Sequence, residues 1–179
     1  VDFANDTAVG QARSQLSVAR FYAAGASSPD FGYFIGGAPG GWGSTQGSTV
    51  DRLDYSNDTA NTVEKGSLSV ARYGLAATGN QSFGYFVGGQ GKSTVDRVDY
   101  SSDTGTATPK GPLSAGIRYM TATGNANFGY VSRGYSPSFA TFIYRIDYSN
   151  DTATTSVRGP LAAGASYRGA TSSSDFGYF

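Results

Sequence analysis

Histidine and cysteine are both missing from the 179 residues of this chain. Their absence excludes Ser-His-Asp and Cys-His nucleophilic sites, zinc sites built on those ligands, and thiol redox chemistry. It also excludes disulfides, so cysteine reports nothing about the compartment. Glutamate occurs once, at Glu64, which leaves poor material for helices. The 13 basic and 13 acidic residues cancel, and no basic face recommends a nucleic acid or an anionic membrane. No apolar run is long enough to cross a bilayer, and no signal peptide is visible. What the chain has in quantity is glycine (26 residues), aromatic residues (14%), Ser and Thr. That composition suits short strands and tight turns.

The dominant pattern is a fourfold internal repeat, the first thing to seek in such a chain. "VDFANDTA", "LDYSNDTA", "VDYSSDTG" and "IDYSNDTA" begin it, with Asp2, Asp54, Asp99 and Asp147 in register. The phrase "FGY" follows at Phe31, Phe83, Phe128 and Phe176, always 29 residues after that Asp. A leucine falls 14 residues after the Asp in every copy: Leu16, Leu68, Leu113 and Leu161. From each FGY phrase to the next Asp the gap varies between 16 and 23 residues. Constant spacing marks a packed supersecondary unit, and variable spacing marks a surface loop. The units run approximately 1–49, 50–94, 95–143 and 144–179, the first and last partial, within one repeat domain over 1–179.

Each unit reads as four strands. In the second copy these are "STVDRLDY", "ANTVEKGSL", "ARYGLAAT" and "FGYFVGG", with turns at "SNDT" and "GNQS". A four-stranded antiparallel unit of roughly 45–50 residues has the size of one propeller blade. The third strand carries small residues ("YAAGA", "GLAATG", "MTATG", "GATSS"), which fits crowding near a propeller axis and equally suits any tight sheet packing. The aromatics of FGYF would then fill the space between sheets.

At these residues the chain resembles the kelch family of β-propellers. The elements carrying the resemblance are the glycine pairs Gly36-Gly37 and Gly88-Gly89, the arginines Arg20 and Arg72 before the inner strand, and Tyr55, Tyr100 and Tyr148 before the turn. Thr62, Ala107 and Thr155 stand where kelch repeats carry tryptophan, and Arg133-Gly134 replaces the third glycine pair. The repeat wording also looks like tandem repeats in structural proteins of marine bacteriophages that infect cyanobacteria. The resemblance implies an all-β propeller of four kelch-like four-stranded blades, its two ends complementary within one blade. It further implies a non-enzymatic structural or adhesion module of a virion or other extracellular assembly. The alternative is a glycan-binding, lectin-like propeller. Both ends interrupt the repeat phrase, so a segment of a longer polypeptide is expected.

Several motifs admit two readings. "DYSNDT" (Asp54, Asn57, Asp58) offers oxygens to calcium but lacks the dense spacing and closing Glu of calcium loops, so a turn with Asx-type bonds is expected. Arg52/Asp54, Arg97/Asp99 and Arg145/Asp147 form either a charged ring for an anion or sugar, or a salt-link ladder between units. Their recurrence favours the ladder, because sites usually break symmetry. The glycosylation patterns at Asn5, Asn57, Asn80 and Asn150 coincide with turns. The same recurrence argues against a hydrolase, whose two carboxylates need unlike settings. No catalytic residue, metal or cofactor is expected. Binding is expected on the non-repeated loops, at Trp42, Arg133, Tyr135 and Phe139, to protein partners in an assembly or to a cell-surface glycan. Nucleic acid and membrane insertion are not expected. The expected location is extracellular or virion.

Overall fold

The computed structural model describes residues 7, 9–40, 45–136, 138–139, 141–164 and 166–179, with only the backbone of Ser136, Ser138 and Phe139. The chain is all-β. Its strands are β1 (Arg20–Phe21), β2 (Ala24–Ser27), β3 (Phe31–Ile35), β4 (Ala38–Pro39), β5 (Thr49–Asp54) and β6 (Val63–Ser67). The second copy continues with β7 (Ala76–Gly79) and β8 (Phe83–Val87), and the third opens with β9 (Val95–Asp99) and β10 (Thr108–Lys110). The third then forms β11 (Ala122–Gly124), β12 (Phe128–Ser132), β13 (Tyr135–Ser136) and β14 (Ser138–Phe139), and β15 (Ile143–Asp147) and β16 (Ser156–Arg158) lead into the fourth, so each four-stranded sheet joins two strands of one copy to two of the next. β17 (Thr171–Ser172) and β18 (Gly177–Tyr178) follow. Three antiparallel sheets have four strands, in the orders β2-β3-β5-β6, β7-β8-β9-β10 and β11-β12-β15-β16. Three more are two-stranded: β1-β4, β13-β14 and β17-β18.

These sheets stay discrete, and none curls into a closed barrel or propeller. The kelch-like, four-bladed reading is therefore corrected. Among the described residues no strand forms before Arg20, and β17-β18 pairs with no other strand; the segment before Thr7, on which pairing of the two ends would rest, lies outside the described residues. The kelch tryptophan position shows why the resemblance misleads. Ala107 is buried in the core between the first two sheets, where an indole would overpack. The roles that rested on the propeller fall with it: the structural or adhesion module of a virion or extracellular assembly, and the lectin-like alternative. The inner strand is also shorter than "ARYGLAAT" suggests, because Arg72–Leu75 precede β7 without joining it.

The FGY phrase has a separate physical reason at each letter. Its Phe lies under a guanidinium from the neighbouring strand: Arg52 over Phe31 at 4.2 Å, Arg97 over Phe83 at 4.3 Å and Arg145 over Phe128 at 4.4 Å. Its Gly leaves room for a phenol. A Cβ on Gly84 would lie 2.7 Å from the Tyr100 hydroxyl, and one on Gly129 would lie 2.8 Å from that of Tyr148. Its Tyr is fully buried in the first two copies, Tyr33 stacking on Tyr100 and Tyr85 on Tyr148, each at 4.7 Å.

Two apolar cores result. One lies between the first and second sheets, around Tyr33, Ile35, Leu68, Leu75 and Phe86. The other lies between the second and third, around Tyr85, Val87, Leu113, Ile117 and Tyr144. The repeat leucine thus supplies one buried anchor to each core.

Candidate functional site

The recurring charges are structural fasteners. Asp103 is held by three side chains of the first sheet: the Tyr33 hydroxyl donates at 3.1 Å, Arg52 at 2.9 Å, and the Lys65 ammonium lies 3.6 Å away. Asp151 repeats this against the second sheet, with Tyr85 at 2.8 Å, Arg97 at 2.7 Å and Lys110 at 3.2 Å. Desolvation pushes the Asp151 carboxyl up, but the Tyr85 and Lys110 hydrogen bonds and the Arg97 charge outweigh it and hold it below the usual range. Desolvation first, then the Asp103 and Asp151 charges and hydrogen bonds, raise the pKa values of Tyr33 and Tyr85. Arg52 and Arg97 therefore tie sheet to sheet, as the ladder reading expects, but through Asp103 and Asp151. Asp54, Asp99 and Asp147 turn away from that ladder. Each accepts bonds from the amide and hydroxyl of a serine two residues on, in an Asx-type turn. Those bonds hold Asp54 and Asp147 below the normal carboxylate range. Among the described residues no three acidic side chains cluster as metal ligands would.

The turn before FGY is equally repetitive. Ser28, Asn80, Asn125 and Ser173 each accept from the amide of the Phe three residues on. The two asparagines also reach the next copy, through Ala126 and Ser174 carbonyls at 3.4 Å. These turns border a wide cleft of about 590 Å³ lined by Ser27, Pro29, Gln81 and their neighbours. Its two asparagine side chains and Ser28 are already committed to turn or cross-copy bonds, which leaves Ser27, Gln81 and Ser82 as its other polar side chains.

The other end of the inner strands is different. Twenty residues after the repeat Asp stand Tyr22, Gly74, Tyr119 and Tyr167. All four have left-handed backbones, with φ of 57°, 65°, 59° and 59°. Glycine adopts that conformation freely, whereas a bulky aromatic residue there is a steric outlier. The backbone explains the conformation. Gly74 N–H donates to the Tyr22 carbonyl at 3.0 Å, Tyr119 to Gly74 at 2.8 Å and Tyr167 to Tyr119 at 3.3 Å. This ladder links all four copies.

The side chains converge as well. Tyr119 and Tyr167 stack at 4.6 Å, and Tyr22 lies 5.5 Å from Tyr119, 6.1 Å from Tyr167 and 6.2 Å from Tyr73. Tyr167 is 61% exposed, and the other three are half-buried. Desolvation, followed by hydrogen bonds to the Tyr119 and Tyr22 side chains, pushes the Tyr167 phenol up to about 12. Arg118 lies between rings, 5.4 Å from Tyr119 and 5.2 Å from Tyr135.

Of the four loop residues expected to bind, Tyr135 reaches this cluster. Its amide donates to the Arg118 carbonyl at 2.9 Å, and the Arg118 amide returns the bond at 3.3 Å. Arg133 turns elsewhere and stacks over Phe142 at 5.8 Å. Phe139 pairs its backbone with Tyr135 in the β13-β14 hairpin, and its side chain lies outside the described residues. Trp42 lies wholly outside them. The sequence reading missed Tyr22, Tyr119 and Tyr167, although their equal offset from the repeat Asp was a usable signal.

No protein-family model matches this chain, and no curated protein matches it at a significant level.

Proposed function

We propose that this protein is a non-catalytic interaction module that binds a protein partner through its tyrosine-lined end. One observation carries the reading. Gly74 performs the ladder's backbone task without steric cost, yet the equivalent position holds tyrosine in the other three copies. Left-handed non-glycine residues cost on the order of 1–3 kcal/mol each, and such strain concentrates at functional positions. The backbone ladder accounts for the conformation but leaves the choice of side chain unexplained. An aromatic surface flanked by a guanidinium is the composition that dominates protein–protein hot spots.

The test is a peptide-display selection on the intact chain. It is followed by calorimetric titration of selected peptides against wild type and a Tyr22→Gly/Tyr119→Gly/Tyr167→Gly variant. Glycine retains the left-handed backbone, so the variant keeps the ladder and its circular dichroism spectrum. Affinity is expected to fall at least tenfold. Equal affinity for the folded variant would refute the reading.

Among the described residues no helix is long and apolar enough to cross a membrane.

A further inference from the structure

We propose that Tyr119 and Tyr167 form an intramolecular dityrosine cross-link when the protein meets a one-electron oxidant. Their ring centroids are 4.6 Å apart, with 25° between the planes. The Tyr167 amide donates to the Tyr119 carbonyl at 3.3 Å, so backbone and ring contacts both fix the pair. With 61% of Tyr167 exposed, an oxidant can reach it, and no thiol is present to intercept the radical. Tyr22 lies close to both rings but farther off and more tilted, at 57° to Tyr119 and 41° to Tyr167.

The chemistry balances with hydrogen peroxide and a peroxidase as the oxidising couple. Each phenol loses one electron and one proton, giving two phenoxyl radicals. These join by one carbon–carbon bond between ring positions ortho to the hydroxyls. Each ortho hydrogen then leaves its carbon as the ring regains aromaticity and its hydroxyl. The pair loses two hydrogens in all, and one hydrogen peroxide is reduced to two waters. The product ties the third copy covalently to the fourth, where β17-β18 is only two-stranded. Like a disulfide, a tie between residues 119 and 167 also restricts the unfolded chain.

The molecule carries its own controls. Tyr33–Tyr100 and Tyr85–Tyr148 stack as closely, at 4.7 Å, but Tyr33 and Tyr85 are fully buried. Geometry without access is thus represented twice. The experiment treats dilute intact protein with peroxidase and hydrogen peroxide at neutral pH, isolates the monomer, and maps cross-linked peptides by mass spectrometry. N-acetyltyrosine coupled in parallel shows that the oxidant is active. The expected product is a monomer lighter by two hydrogens, with dityrosine fluorescence and one cross-linked peptide pair carrying Tyr119 and Tyr167. Tyr167→Phe, which keeps the ring and the exposed position, should abolish it. Tyr22→Phe should leave it in place, and the cross-linked monomer should melt at a higher temperature than the untreated one. No cross-link in wild type, a cross-link mapped to another pair, or undiminished coupling in Tyr167→Phe would each overturn the assignment. The reaction needs no partner, so its outcome is independent of the peptide-binding test.

Discussion

The second and third four-stranded sheets meet the same burial problem with opposite chemistry. In the second, Arg72 and Asp96 form an ion pair at 2.8 Å with neither side chain exposed. Arg72 also donates to the carbonyls of Val70 and Phe86, and Asp96 accepts from the Ser69 amide and hydroxyl. In the third, the equivalent positions are Ile117 and Tyr144, both buried within one apolar core. The first sheet keeps the ionic version, Arg20 with Asp51 at 2.6 Å. The lesson is that the repeat conserves a backbone arrangement while leaving the chemistry free, provided both partners change together. A buried ion pair costs desolvation that its attraction only just offsets, so an apolar pair of similar size can replace it, whereas half a pair cannot.

The strongest way to break this comparison is to remove one partner. Arg72→Ala should cost about 3–5 kcal/mol, because Asp96 is left charged in a dry site. Urea denaturation reads the loss, and a change below about 1 kcal/mol would mean that water reaches Asp96.

A smaller effect is expected at the glycine pair, which the third copy replaces with Arg133-Gly134. Gly89 has φ of 96°, and its Cβ would lie 2.8 Å from the Tyr73 carbonyl oxygen. Gly89→Ala should cost at least about 1–2 kcal/mol from the left-handed backbone, plus the clash. A neutral result would show that the junction between copies can relax.

The fastener between the second and third sheets makes a weaker, pH-dependent contribution. Asp151 titrates below its ordinary value when folded, so its stabilisation is complete above about pH 4 and is lost as pH falls through the folded value. Melting temperature should therefore drop with acidification below about pH 4, and less steeply in Asp151→Asn. Parallel curves for the two proteins would remove Asp151 from the account.

The smallest effect tests the comparison itself. Arg72→Ile/Asp96→Tyr installs the third sheet's pair in the second. It should recover most of the single variant's loss and lie close to wild type, since replacing a whole buried pair is often neutral or better. A double variant as unstable as Arg72→Ala would show that the two sites are not interchangeable.

Much of the local structure was legible in the sequence. The rigid spacing from Asp54 to Phe83 and from Asp99 to Phe128 marks packed units, and the alternation in "VDRLDY" marks a strand. Asn80 and Asn125 announce their turns. The tyrosine end was not legible. Left-handed backbone is signalled by Gly, Asn or Asp, and Tyr119 in "IRYMT" reads as an ordinary strand residue. Nor does spacing along one chain say which sheets close on one another, which is how the kelch-like ring came to be expected.

The sequence by itself determined the all-β character, the repeat and the turns, because each rests on neighbours close along the chain. Only the tertiary structure decided that Arg52 grips Asp103, that the sheets stay discrete, and that Tyr22, Tyr119 and Tyr167 meet. Those are contacts between residues dozens of positions apart. What selects them is the packing of one sheet on the next and the ladder that crosses all four copies, neither of which is written in any single repeat.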